Sequence, residues 1–333
     1  MTSFLKRIII FVGLFLMLNA IYASFFKINF LPKMYVHWLF AADCAKTPTE
    51  ASTDVLIMGD SRVFYGLNPN AFDSMRVERI SMEAARPFEI FYLFKEYLKN
   101  KKTPPKILFL SFAPDHLAIH DDFWKYTTRF GTIPFSASLR FINKANDLDD
   151  LAILERSSYL QAVSDLSLRA MGSLKYYLAD YQKTKLVRRR AKNKQAYEEL
   201  EEERYVTDNR LFSPSKSSIE ERNNLKISPT LEFYLKEIVR IAEEHDIKVL
   251  FEALPSSKQM AQKRTETYEQ PYKAFLMKMQ TQFPNARFSD ALPFFADTIL
   301  FRDAGHLNAE GATYFSKGLA RRLRMELAQE PKK

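Results

Sequence analysis

The sequence predicts an α/β fold: a mostly parallel, doubly wound sheet carrying a helical insertion and preceded by one transmembrane helix. Three observations predict it. Short apolar runs alternate with amphipathic segments before Asp115 and again after about Pro229. Between those points the alternation stops and a long, strongly charged, helical stretch intervenes. Near the start, Ile8 to Phe26 is apolar apart from Asn19 and Ser24. With 47% hydrophobic and 27% charged residues in 333, the chain has ample core for a folded domain. The formal charge of +9 is spread among acidic residues except in one segment, and no nucleic-acid motif accompanies it, so nucleic acid is not expected as a partner. The single cysteine, Cys44, excludes an internal disulfide framework.

Residues 1–7 are expected in the cytoplasm and 8–26 as the anchor, because Lys6 and Arg7 precede an apolar run that as a helix extends about 28 Å. A cleaved signal peptide competes, with Ile21-Tyr-Ala23 as cleavage site. The length of the run and the aromatic residues Phe25, Phe26, Phe30, Tyr35 and Trp38 after it favour an uncleaved anchor with its aromatic belt. Residues 27–53 are the juxtamembrane segment and linker, Lys46 to Ser52 being rich in Thr and Pro.

The globular domain spans 54–330. Val55 to Met58 is a buried strand stopped by Gly59, and Val77 to Ser81 a second strand. Pro87 to Leu98 is a helix ended by Pro104 and Pro105, and Lys106 to Phe112 a central parallel strand. The insertion occupies about 116–229. Within it Leu148 to Tyr181 has helical spacing, and Lys183 to Lys194 is a dense basic run around Arg188, Arg189 and Arg190. A solvated helix face pairing with acidic Glu198 to Glu203 is preferred there over a site for anionic lipid or polymer. The alternation resumes with a helix over Leu231 to Glu244, a strand over Ile247 to Leu254, a helix over Arg264 to Gln282 and a strand over Ala286 to Ala291. Asn308 caps a final helix from Ala309 to about Ala328.

Two motifs carry chemistry. Gly59-Asp60-Ser61-Arg62 puts a hydroxyl at the carboxyl end of a buried strand, which suits a nucleophile. Asp303-Ala-Gly-His306-Leu-Asn supplies a carboxylate and an imidazole just before a helix. Either alone reads equally as a turn or a capped helix start; their order at opposite ends of one domain is the specific signal. Together they resemble the SGNH (GDSL) hydrolase and acyltransferase superfamily. That resemblance implies an SGNH-like (flavodoxin-like) sheet and a triad in which Ser61 attacks an acyl carbonyl, His306 takes its proton and Asp303 orients the ring. It implies no cofactor.

The oxyanion blocks depart from the superfamily pattern. Where it has a glycine after the second strand the chain reads Ser81-Met-Glu-Ala-Ala-Arg86, and where it has Gly-x-Asn-Asp after the third it reads Ser111-Phe-Ala-Pro-Asp115. Similar losses occur in membrane-anchored branches, such as the alginate O-acetylation proteins and the teichoic-acid D-alanylation protein DltD. Those branches imply an extracytoplasmic O-acyltransferase attached to a bacterial inner or cytoplasmic membrane. It would modify a cell-envelope or secreted glycan, or another hydroxyl acceptor, beside a membrane-bound O-acyltransferase partner. An esterase or deacetylase using the same triad, and a noncatalytic adaptor, are the alternatives.

Asp60, Arg62, Ser111, Asp115 and His116 are the candidate substrate-binding residues around the crevice, Arg62 for an anionic group. His116 and His120, four apart, with Asp115, Asp121 and Asp122, would suit a metal on one helix face, but they equally suit a crevice rim, and no metal is expected. His37 and His245 read as structural.

Overall fold

Val55, Leu56, Ile57 and Met58 are at most 1% exposed, the burial of a strand covered on both faces. The computed structural model describes residues 2–25, 33–72, 75–118, 132–155, 183–203, 212, 224–295 and 297–329. In chain order its elements are α1 (Thr2–Phe25), α2 (Lys33–Lys46), β1 (Val55–Gly59), α3 (Ser61–Gly66), β2 (Val77–Ser81), α4 (Pro87–Asn100), β3 (Ile107–Ser111), α5 (Phe135–Asp147), α6 (Leu151–Leu154), α7 (Lys183–Glu203), α8 (Pro229–Glu244), β4 (Lys248–Phe251), β5 (Ser256–Ser257), α9 (Lys258–Ala261), α10 (Glu266–Gln282), β6 (Arg287–Phe288), β7 (Phe294–Phe295) and α11 (Ala309–Ala328). They fall into two compact units, Met1–Phe40 with Asp121–Glu201, and Ala41–His120 with Glu202–Lys333.

The second unit holds a five-stranded parallel sheet in the order β2-β1-β3-β4-β6. Numbered by their succession in the chain these strands run 2-1-3-4-5, an α/β arrangement compatible with a flavodoxin-like fold. The chain leaves β1 toward β2 on one side and returns to β3 on the other. The carboxyl ends of β1 and β3 therefore flank the switch point, where open sheets bind ligands.

Helices cover both faces. Val55 and Ile57 of β1, Ile107 and Phe109 of β3 and Leu250 of β4 pack with Val63 of α3, Leu67 just after it, and Leu319 and Leu323 of α11. Strand neighbours alternate in direction, so Leu56, Met58, Leu108 and Leu110 point the other way, and they are fully buried too. There α4 lies against β1 and α8, and α8 against β4; Phe88 meets Tyr234 edge-on with ring centres 5.0 Å apart. Pro at the first turn starts both helices. Ser228 caps α8 through the Leu231 amide at 3.1 Å, and Glu89 accepts from the Arg86 amide at 2.9 Å to begin α4. Asn308 caps α11 by accepting from the Gly311 amide at 3.0 Å. A separate two-stranded parallel ladder, β5 with β7, has no counterpart in the sequence reading.

In the first unit Phe141, Ile142 and Ala145 of α5, Ile153 of α6 and Leu200 of α7 are buried. Phe40 meets Tyr197 edge-on at 5.6 Å.

The expected transmembrane helix over 8–26 is corrected: among the described residues no helix is long and apolar enough to cross a membrane. The exposed large apolar side chains of α1 run from Phe4 to Leu18. Trp38, expected in an aromatic belt, is fully buried, and His37 is buried beside it. The last strands are shorter than their apolar runs, Ile247 to Leu254 yielding β4 (Lys248–Phe251) and Ala286 to Ala291 only β6, an edge strand paired on one side alone. Most of Leu148 to Tyr181, with His120, Asp121 and Asp122, lies outside the described residues.

Candidate active site

The nucleophile turn is set by a glycine and an aspartate. A Cβ on Gly59 would stand 2.1 Å from the Ser111 carbonyl oxygen, so only glycine lets β1 end this close to β3. Asp60 then caps α3: one carboxylate oxygen accepts from the Arg62 amide at 2.9 Å, the other from the Ala113 amide at 2.7 Å. One buried side chain thus ties the turn after β1 to the turn after β3, and Ser61 becomes the first residue of α3. The His116 Nδ1 stands 2.7 Å from the second Asp60 oxygen. Burial alone would raise the Asp60 carboxyl, but the His116 ring, the Arg62 guanidinium and the Ala113 amide outweigh it and hold the group well below the usual carboxylate range. Burial, and then the Arg86 guanidinium, push the His116 imidazole below its ordinary value.

The acid-histidine turn is held by its own backbone. Phe301 and Leu307 bridge antiparallel, and the Arg302 amide donates to the His306 carbonyl at 3.1 Å. Inside the loop, Asp303 Oδ1 accepts from the Gly305 amide at 2.9 Å and the His306 amide at 3.0 Å. That leaves the carboxylate facing the imidazole, with Nδ1 2.8 Å from Oδ1 and 3.0 Å from Oδ2. Burial acts to raise Asp303, but the bond to His306, the Gly305 amide and the Arg302 charge lower it to about 2. On the other side of the ring, His306 Nε2 stands 2.8 Å from Ser61 Oγ.

Three residues that the sequence reading passed over frame this pair. Tyr65, four residues after Ser61 on α3, sets its ring edge-on to His306 with centres 5.8 Å apart. Its hydroxyl donates to Glu83, and burial followed by the Glu83 charge raises the phenol above its ordinary value. The Arg302 guanidinium lies 3.6 Å from the Tyr65 ring centre, a cation–π contact that also brings its Nε to Asp303 at 3.2 Å. Helical spacing from Ser61 is the signal that would have found Tyr65.

Of the remaining candidates, Asp60 is fully buried and committed to the turn. Arg62 is buried beside the serine, and Asp115 is half-buried in the single turn Pro114–Leu117 after β3. Ser111, the last residue of β3, is fully buried with its hydroxyl unpartnered among the described residues. The Ser61 amide, at the start of α3, makes no hydrogen bond among the described residues and is a ready oxyanion donor. Ala113, in the third block, spends its amide on Asp60. In the second block Ala84 adopts φ 59°, the left-handed form a glycine favours, and the Arg86 Nη1 donates to its carbonyl at 2.8 Å. Among the described residues no three His, Cys, Asp or Glu side chains gather to hold a metal ion.

No protein-family model matches the chain, and no curated protein matches it either.

Proposed function

We propose that the chain is a serine-dependent acyl-transfer enzyme of the SGNH type, an O-acyltransferase acting on a cell-envelope or secreted glycan with a membrane-bound O-acyltransferase as partner. The observation that carries this reading is the continuous chain Ser61–His306–Asp303, at 2.8 Å on each side of the imidazole, beside the β1/β3 switch point. Asp303 is ionised at neutral pH and accepts from Nδ1, so Nε2 is the free base that faces the serine. As Ser61 Oγ attacks an acyl carbonyl, Nε2 takes its proton, and Asp303 stabilises the imidazolium. The Ser61 amide donates to the developing oxyanion. The imidazolium then protonates the leaving group, and an acceptor hydroxyl, deprotonated by Nε2, removes the acyl group from the serine. The exposed apolar residues of α1, from Phe4 to Leu18, support placing the protein at a membrane surface.

One observation favours hydrolysis as the second reading: the His306 side chain is 25% exposed, so water can reach the acyl-serine. Mass spectrometry of the chain after incubation with 4-nitrophenyl acetate tests both. Acetylation of Ser61 that is discharged faster by an added oligosaccharide than by water favours transfer; discharge indifferent to it favours the esterase. No label on Ser61, with none on a Ser61→Ala control, rejects the enzyme and leaves the adaptor.

A further inference from the structure

Arg62 stands directly after the nucleophile and is 6% exposed. Its amide donates to Asp60, and its guanidinium charge acts on that carboxylate without a hydrogen bond between them. Nη1 has no hydrogen-bond partner among the described residues, and Nη2 reaches only the Met260 sulfur, a weak acceptor 3.9 Å away. The nearby Asp60 oxygens are taken by the Arg62 and Ala113 amides. A stranded buried donor costs about 1–3 kcal/mol, and more when charged, so a guanidinium left this way calls for an anion or water to complete it.

A second cation is held by the same Ser256–Met260 segment that Arg62 touches. Burial, and next the positive charge of Arg62, push the Arg264 guanidinium below its ordinary value. Arg264 is fixed from behind, Nη1 donating to the Leu292 carbonyl at 3.1 Å and Nη2 to the Ser256 hydroxyl at 2.5 Å. The buried Tyr272 hydroxyl feels both arginines and has no partner among the described residues. The group adjoins the triad: the Met260 sulfur that meets Arg62 lies 3.8 Å from where a Cβ on Gly305 would stand, one residue before His306.

We propose that Arg62, Arg264 and the Tyr272 hydroxyl form a subsite for a carboxylate carried by the substrate. The proposal rests on the acyl-transfer reading of Ser61 and narrows it to acidic acyl groups or acidic sugar acceptors. The forked donors of Arg suit a carboxylate, and one would complete the buried, unpartnered Arg62 Nη1.

The full chain is assayed on mono-4-nitrophenyl succinate against the near-isosteric 4-nitrophenyl butyrate, and with glucuronate against glucose as acceptor. At least a tenfold preference for the acidic member of one pair is expected. The pair that shows it tells whether the carboxylate belongs to the acyl group or the acceptor. That preference should fall about tenfold in Arg62→Met and in Arg264→Gln. No preference in either pair, or one that both substitutions leave intact, overturns the proposal. Should Arg62→Met unfold, as a melting curve would reveal, Arg264→Gln decides. Should neither ester turn over, calorimetry with succinate and glucuronate takes the place of kinetics. Binding that needs Arg264 then keeps the subsite and removes the acyl-transfer reading, whereas no binding removes the subsite.

Discussion

The two turns that meet at the site are built on opposite principles. The nucleophile turn is locked by burial: Gly59 abuts the β3 backbone, and Asp60 is fully enclosed with both oxygens bonded. The acid-histidine turn is locked by short local hydrogen bonds, and its Asp303 and His306 side chains remain 23% and 25% exposed. On the acyl-transfer reading proposed for this site, a nucleophile must hold its place against the sheet, while a base must exchange protons with its surroundings. Substitutions around the first turn should therefore read out mainly as lost stability, and those in the second mainly as lost chemistry.

The largest effect lies where the two turns touch. Ser61→Ala or His306→Ala should each lower acyl turnover by ~10⁴-fold with the melting temperature nearly unchanged, and the double variant should lose little more, as for residues that act as a unit. Additive losses in that cycle would separate the two turns functionally. Next comes Gly59→Ala, whose methyl group would collide with the Ser111 carbonyl; urea denaturation should show a loss of about 3 kcal/mol or more.

A smaller effect belongs to Asp303. Its pKa drops from 3.8 to about 2 on folding, so its contribution is fully present above about pH 4 and is lost as the pH falls toward 2. The shift corresponds to about 2.5 kcal/mol, and Asp303→Asn should remove that part of the acid dependence in denaturation curves between pH 5 and 2.5. Smallest of all is Gly305→Ala. A Cβ there meets its nearest neighbours at 3.8 Å, so a loss beyond about 1 kcal/mol would show that the second turn is as tightly built as the first.

What the sequence disclosed follows the same division. The apolar run of β1, the glycine after it and the Asp-x-x-His spacing are local patterns, and local patterns are written in consecutive residues. So the parallel sheet and the residues that meet at His306 were legible before any coordinates. The pairing of Asp60 with the Ala113 amide, the contact of Arg62 with Met260 and the stacking of Arg302 on Tyr65 join distant parts of the chain and leave no periodic trace. The two-residue strands β5 and β7 are too short to show an alternation. The transmembrane expectation over 8–26 failed for another reason. Apolar content along a run forecast a helix, and α1 is one, but no helix among the described residues is long and apolar enough to cross a membrane.

Ser61 and His306 are 245 residues apart in the chain. On a ribosome adding roughly 5–20 residues per second, the serine emerges on the order of ten to fifty seconds before its base. Through that interval the hydroxyl has no neighbour to take its proton and is chemically ordinary. The pair with His306 forms only in a late event, when α11 docks onto α3. Synthesis that stops before Asp303 leaves a fragment that carries Ser61 without the imidazole and carboxylate that join it in the folded chain.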